Sequence, residues 1–355
     1  MIKRLLLTGA GTAAAENLVR SLRAGHPDMM MIGCHHDRFI LKKSSCEHRC
    51  LVPRPGDVRF ADALRRLVDK ERIDLVIPTS DIDVGAISDL RDDLPGRFFL
   101  PAHRVIQVCQ DKYDLTTLLR SKGIPAPETY AVPHLDALEA LFERFGARRP
   151  LWCRPRSGTC ARGAAAVKTP DQARRWISLW DEMRGVTPSS FTLSEYLPGR
   201  DFLCQSLWKD GALVLINTFE RLSYFGVDNI PSGITSLSSL AKTVVDQGLV
   251  ATCRDAVRAV DRAATGAFSV DLKEDRHGVP HVTEINAGRL LMAMTAFDRV
   301  GKHNMSLTYV RLGLGDAVDL HDEYDAAEGY YMVRDLDTLP DIFHEDELFE
   351  GVVVP

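Results

Sequence analysis

The stretch "GAFSVDLKEDRHGVPHVTEINAG", residues 266–288, decides how the fold is read. It divides at the turn "EDRHG" into two strand-like runs and reads as a hairpin. In the first run Phe268, Val270 and Leu272 alternate with Ser269, Asp271 and Lys273, so an apolar core face backs a polar one. The second run reads as a strand over His281–Ile285 that enters a small-residue turn, with Glu284 and Asn286 on one face. In a suitable register Asp271 meets Glu284 and Asn286 across the pair. Two carboxylates and an amide oxygen on one face could hold one or two Mg²⁺ ions beside a triphosphate. The same residues would equally serve as the solvated polar face of an antiparallel sheet. Spacing alone leaves both readings open.

Two further constellations bear on the choice. "RPRSGTCARG", residues 154–163, sets three arginines around a Gly/Ser/Thr loop between two strands. Loop N–H groups flanked by guanidiniums can cradle phosphate, and the alternative is a surface turn with solvated charges. In "SEYLPGRDF", residues 194–202, an acidic residue precedes an apolar strand end and a Pro-Gly turn. Such a strand end could read adenine through its backbone while a carboxylate reaches a hydroxyl. The long run 189–224 around it predicts two or three antiparallel strands turning at "KDG".

Upstream, the rhythm is strand, helix, strand. An apolar run over 2–8 leads through a glycine turn into an amphipathic helix ending at Gly25. Strands over 29–34 and 50–53, a helix over 58–70 and a strand over 74–80 follow, which predicts a doubly wound parallel sheet closed by "GRFFLPA" at 96–102. "GAGTAA", residues 9–14, is close to a G-x-G-x-x-A dinucleotide loop, with Asp37 as the only arguable acidic partner. A tight strand-to-helix turn explains it as well. An NAD-dependent oxidoreductase built on that loop would leave the second half of the chain unexplained. In "PTSDID", residues 78–83, Asp81 and Asp83 stand at a strand end where open parallel sheets bind ligands, or else cap a helix. "VIQVCQDKYDLTTLLRSKG", residues 105–123, reads as one helix, and 220–240 as a long irregular segment between a strand and a helix. Long irregular segments are often lids, so Glu220, Arg221 and Ser232–Thr235 are candidate substrate contacts by position.

Bulk properties exclude several classes. With 355 residues the chain needs two or three domains, and a formal charge of −5 gives no broad case for nucleic acid. The N-terminal apolar run is too short for a signal peptide, and no segment approaches a membrane span. Eight scattered cysteines fit free thiols in a reducing cytoplasm. "CHHDR" at 34–38 and "CEHRC" at 46–50 could supply zinc ligands, but their spacing matches no standard finger and buried apolar cysteines explain them more simply. His103, His134, His277, His281 and His303 are expected on the surface, mostly in loops, and no nucleophile-base pair stands out.

Taken in order, "DKYDLTTLLRSKGIPAPETY", "CRPRSGTCARGAAAV", "EYLPGRDF" and "FSVDLKEDRHGVPHVTEINAG" resemble the ATP-grasp superfamily of ligases. The branch that they resemble most contains the carbamoyl-phosphate synthetase large chain and the pyrrolysine-biosynthesis ligases. The resemblance implies an α/β (α+β) fold. A Rossmann-like parallel-sheet pre-grasp domain (1–103) would precede a two-subdomain ATP-grasp fold with antiparallel sheets, the small lid subdomain at 104–188 and the large one at 189–355. It further implies that Lys112 and Arg154 contact nucleotide phosphates, with arginine where the superfamily usually has lysine. Ser157, Gly158, Thr159 and Gly163 would belong to the loop closing over the triphosphate. Glu195 and Leu197 would read adenine and Asp201 would approach the ribose, while Asp271, Glu284 and Asn286 would bind Mg²⁺, with Mn²⁺ as the alternative ion. Arg289, displaced by one residue in E-I-N-A-G-R from the usual E-I-N-P-R, and Arg154 would steady the transferred phosphoryl group. The implied activity is ATP-dependent carboxylate–amine ligation through an acyl phosphate in a cytoplasmic enzyme acting on small molecules, with a homodimer as the candidate assembly. The rival readings are an ATP-grasp kinase acting on a hydroxyl and a non-catalytic nucleotide-binding protein.

Overall fold

Three sheets carry the chain, and each follows from a different sequence texture. The computed structural model describes residues 2–26, 28–94, 98–159, 161–325, 327–335 and 341–347, with backbone alone for 292–294 and 341–343. The first unit comprises β1 (Arg4–Thr8), α1 (Ala13–Gly25), β2 (Met30–His35), α2 (Arg38–Lys42), β3 (His48–Leu51), α3 (Phe60–Lys70), β4 (Leu75–Ile77) and α4 (Asp81–Ser88). Its strands are parallel in the order β3-β2-β1-β4. Leu5, Leu6 and Leu7 are fully buried because β1 is covered on both faces, as an unbroken apolar run requires. Of the expected closing strand at 96–102, Phe98 makes one parallel bridge to Val76, and Gly96 and Arg97 lie outside the described residues.

The single helix expected over 105–123 is two, α5 (His103–Gln110) and α6 (Lys112–Ser121). Asp111 breaks it: its backbone is extended and its side chain caps α6 by accepting from the N–H groups of Tyr113 and Asp114. Lys112 therefore opens a helix rather than lying inside one. A four-stranded antiparallel sheet follows, ordered β5-β8-β6-β7, from β5 (Thr129–Ala131), β6 (Leu151–Pro155), β7 (Ala165–Val167) and β8 (Phe191–Glu195). α7 (Leu138–Arg144) and α8 (Pro170–Arg184) cover it around Phe142, Phe145 and Leu193. Since β8 belongs to this sheet, a division at 188/189 cuts it away from its partners.

The largest sheet has seven strands in the order β13-β12-β9-β10-β11-β14-β15. These are β9 (Asp201–Lys209), β10 (Ala212–Tyr224), β11 (Ser238–Thr243), β12 (Gly266–Glu274), β13 (Pro280–Ala287), β14 (Tyr330–Val333) and β15 (Asp341–His344). The segment expected to run irregularly from strand to helix over 220–240 shrinks to 225–237. β10 persists to Tyr224, and β11 forms before α9 (Gln247–Val260) by pairing with β10 and β14 on its two edges. α5, α6 and α9 pack on one face around Phe268, Val270 and Leu272. The other face shares a core with α1, α10 (Met292–Phe297) and α11 (Met305–Gly313). Buried Asp298 fastens that junction by accepting from Ser21 Oγ at 2.5 Å, Ser306 Oγ at 2.5 Å and the Met305 N–H at 2.9 Å. Burial pushes its carboxyl up to about 6, with these hydrogen bonds pulling the other way. Of the C-terminal tail, 336–340 and 348–355 lie outside the described residues.

Candidate active site

A cleft of about 730 Å³ takes wall residues from both antiparallel sheets and from the helix starts of the parallel unit. Its floor is the hairpin of β12 and β13. Asp271 stands opposite Glu284 and Ser269 opposite Asn286 in the strand register, so the expected cross-strand meeting occurs. Asn286 Nδ2 donates to Asp271 Oδ2 at 2.9 Å, and its Oδ1 accepts from Arg289 Nη2 at 3.0 Å. Asp271 also pairs with Arg221, which reaches Asp201 Oδ1 at 3.0 Å. Burial pushes the Asp271 carboxyl up to about 6; Arg221 pulls it down and Glu284 adds to the rise. Burial also opposes the charge on Arg221, but Asp271 and Asp201 outweigh it and hold its pKa above the usual value.

Residues of the 154–163 loop and Lys112 gather above this floor. Lys112 Nζ lies 3.5 Å from Glu284 Oε2 and donates to the Gly158 carbonyl at 2.8 Å, tying the loop to the start of α6. Arg156 reinforces the tie through Asp111 at 2.7 Å and Asp114 at 3.0 Å. Arg154 crosses from β6 to β13, where Nη2 donates to the Thr283 carbonyl at 2.9 Å, while its buried Nε has no partner among the described residues. Burial lowers the Arg154 pKa against the pull of Glu284 and Asp271. Ser157, Gly158 and Thr159 line the cleft, and Gly158 has φ 124°. Gly163 lies behind the cleft, its carbonyl accepting from Trp176 Nε1 at 2.9 Å, and Cys160 lies outside the described residues.

Glu195, Leu197 and Asp201 also line the cleft, beside the Trp152 and Tyr196 rings. Asp201 accepts from Arg221 and, at 2.5 Å, from Tyr224, so its oxygens are engaged by protein. Of the contacts expected in 220–240, Gly233, Ile234 and Thr235 line the cleft, as does Arg221, which is engaged by Asp201 and Asp271, whereas Glu220 is buried beside Lys242 at 3.4 Å.

The glycine turn at 9–14 is a packing device. A Cβ on Gly11 would lie 2.0 Å from the Ile40 carbonyl oxygen, so α2 presses on the turn. The Gly11 N–H is taken by Glu16 Oε1 at 3.1 Å, and Asp37 caps α2. The carboxylate of α1 itself therefore occupies a donor that a dinucleotide phosphate would need. Cys34 and Cys46 are buried, and among the described residues no three His, Cys, Asp or Glu side chains come within reach of one metal ion. His281 stands on β13 and His103 opens α5, so neither lies in a loop.

Neither a protein-family model nor a curated protein matches the chain. Solved structures do. A biotin carboxylase from Campylobacter jejuni superposes with a TM-score of 0.72 at 12% identity, over 94% of this chain and 76% of that one. An L-amino acid ligase from Bacillus licheniformis gives 0.68 at 15%, over 93% and 78%. An N5-carboxyaminoimidazole synthase from Aspergillus clavatus, solved with ADP and an aminoimidazole ribonucleotide, gives 0.70 at 16%, over 94% and 82%. The chain has an ATP-grasp fold.

Within the ATP-grasp layout, three features of the cleft were not legible in the sequence. Arg221 and Tyr224 form a buried charge cluster with Asp201 and Asp271. Asp81 opens α4, where Ser80 supplies the cap, and its carboxylate grips Arg289. Arg334 donates to the Ser238 carbonyl at 2.5 Å and lies 5.2 Å from the Phe225 ring, clasping both ends of 225–238 against the cleft. Partners distant in the sequence create all three. Read from the sequence, Asp81 is a ligand-binding or helix-capping residue and Arg221 a candidate substrate contact, while Arg334 has no assigned role.

Proposed function

We propose that this protein is an ATP- and Mg²⁺-dependent ligase joining a carboxylate to an amine on a small molecule through an acyl phosphate. The observation that carries the proposal is the meeting of Lys112 and Arg154 with Asp271, Glu284 and Asn286 in one cleft of an ATP-grasp fold. An L-amino acid ligase and an ADP-bound synthase among the similar structures support it. Two carboxylates and an amide oxygen on one face of the β12–β13 hairpin are the donor chemistry of a hard cation, so Asp271, Glu284 and Asn286 would hold Mg²⁺, which would supply charge neutralisation at phosphate oxygens.

In this mechanism the substrate carboxylate attacks the terminal phosphorus of ATP, the bond to the bridging oxygen breaks, and ADP leaves. The amine then attacks the acyl carbon, phosphate departs with the C–O electron pair, and the nitrogen loses a proton. Lys112 and Arg154 offset charge on the phosphates, Arg289 steadies the group in transfer, and Ser157–Gly163 excludes water. Glu195 and Leu197 border the base, and no protein nucleophile is required.

The first test is unfolding with Mg²⁺-ATP and with Mg²⁺-NAD⁺ as control. A ligand at a hundredfold excess over Kd adds about 2.7 kcal/mol. A Mg²⁺-dependent gain with ATP supports the proposal and starts a screen of carboxylates and amines for ADP release. A gain with NAD⁺ alone, or a phosphate ester in place of an amide, overturns it. A second test concerns the fork of Arg154. Arg154→Ala is expected to weaken ATP binding about tenfold or more, through the loss of charge-assisted hydrogen bonds. Arg154→Lys should keep most of the affinity; equal loss in isothermal titration would mean that the bidentate guanidinium is itself required.

A further inference from the structure

The arginine that ends the metal-strand turn is held from the far end of the chain. Asp81, first residue of α4, accepts from Arg289 Nε at 2.6 Å and from Nη2 at 2.8 Å. Both carboxylate oxygens are used, in the bidentate geometry that fixes a guanidinium plane as well as its position. The side chains are only 15% and 17% exposed, so water competes little for the pair. Nη2 also reaches Asn286 Oδ1 at 3.0 Å, which fixes Arg289 against the metal strand.

Each side of the pair is tied to its surroundings. Ser80 caps α4, and Gln110 Nε2 donates to the Asp81 carbonyl at 3.0 Å. Gly288, with φ 100°, lies so close to α4 that a Cβ there would stand 2.9 Å from Val84 Cγ1. The turn after β13 thus packs directly on the helix that carries Asp81. Burial works against the charge of Arg289, and the hydrogen bonds to Asp81 together with the charges of Asp81, Glu284 and Asp271 outweigh it.

We propose that Asp81 is a positioning residue of the N-terminal unit: it holds the Arg289 guanidinium beside Asn286 at the place where the terminal phosphoryl group of a bound triphosphate would lie. This rests on the ligase reading above. Asp81 acts through Arg289, and the N-terminal unit thereby completes a transfer centre whose other groups belong to α6 and to the two antiparallel sheets with their connecting segments. A diphosphate would not reach Arg289, whereas a triphosphate would. The device therefore favours ATP over ADP.

The experiment is isothermal titration of the full chain with Mg²⁺ and either ADP or the non-hydrolysable β,γ-imido analogue of ATP. In Asp81→Asn the analogue should bind about tenfold more weakly, the scale of a lost charge-assisted contact, with ADP affinity within about twofold of wild type. Asp81→Glu, which keeps the charge, should recover part of the preference. Arg289→Lys, which cannot be gripped along two edges, should lose it as Asp81→Asn does, and it carries the test should Asp81→Asn not fold. If both nucleotides weaken together, Asp81 is merely structural and the proposal falls. It falls also if the preference survives in both variants. If wild type binds neither nucleotide, the ligase reading fails first and this inference with it. If wild type binds both and the variants match it, only the role of Asp81 is lost.

Discussion

Glu284→Gln is expected to reduce ATP turnover on the order of a thousandfold, about 4 kcal/mol of transition-state stabilisation, while the protein stays folded. The substitution is nearly isosteric and removes one charge. Glu284 faces the cleft from β13 opposite Asp271, and its partner Lys112 stands 3.5 Å away. That contact is long, and the Glu284 side chain is 25% exposed, so its loss should cost at most about 1 kcal/mol of stability. The charge matters more to chemistry. With an amide at 284, the floor keeps one carboxylate and two amides to hold a divalent cation, and a hard cation is bound mainly by anionic oxygen. ADP release measured against Mg²⁺ concentration decides the matter. A loss that saturating Mg²⁺ partly restores would support a ligand role. Turnover within tenfold of wild type would remove Glu284 from the metal set, and the hairpin would revert to a polar sheet face.

That hairpin was the most legible part of the chain, for a physical reason. Alternation along β12 encodes which face is buried, and a strand needs only its own residues to show it. The parallel unit was legible for the same kind of reason, since the buried leucines of β1 form an unbroken run. What escaped was structure made by partners far away. Asp111 breaks α5 from α6 without glycine or proline, by capping α6 while pairing with Arg156. β11, "SSLAKT", is too polar to read as a strand and exists because β10 and β14 pair with both its edges. β8 follows β7 through a long helix yet slots between β5 and β6, so the strands read over 189–224 divide between two sheets.

The site divides along the same line. Asp271, Glu284 and Asn286 come together in the cleft where strand alternation puts them and Arg154 where its loop begins, whereas Lys112 was placed only by the resemblance and joins them because α6 opens at it. Asp81 and Arg289 are 208 residues apart, and no local spacing couples them. Arg221 was visible as a charge in an irregular segment. Its environment was not, because Asp201 and Asp271 reach it from β9 and β12 across the sheet.

That environment sets the largest expected effect on stability. Arg221→Met should cost about 3–5 kcal/mol at neutral pH, since removing one partner leaves buried charge uncompensated. Arg221 is 10% exposed, Asp271 14% and Asp201 20%, so water can replace little of what is lost. The residual partners carry little compensating charge: Asp201 keeps the neutral Tyr224 hydroxyl at 2.5 Å and Lys273 only at 3.8 Å, and Asn286 gives Asp271 one neutral hydrogen bond. The loss should depend on pH with a definite sign. In wild type burial already raises the Asp271 carboxyl from 3.8 to about 6, so its contribution is fullest below pH 3.8 and fades as pH rises toward 6. Arg221 is the chief influence pulling that value down. Without it the folded-state value climbs further, and the fading extends to higher pH. The deficit of Arg221→Met relative to wild type should therefore be small near pH 5 and grow toward pH 8. Denaturant titrations at the two pH values measure it directly. A deficit independent of pH would mean that Asp271 keeps another cation once Arg221 is gone, and that the row from Arg221 through Asp271 and Asn286 to Arg289 is held by packing rather than by charge.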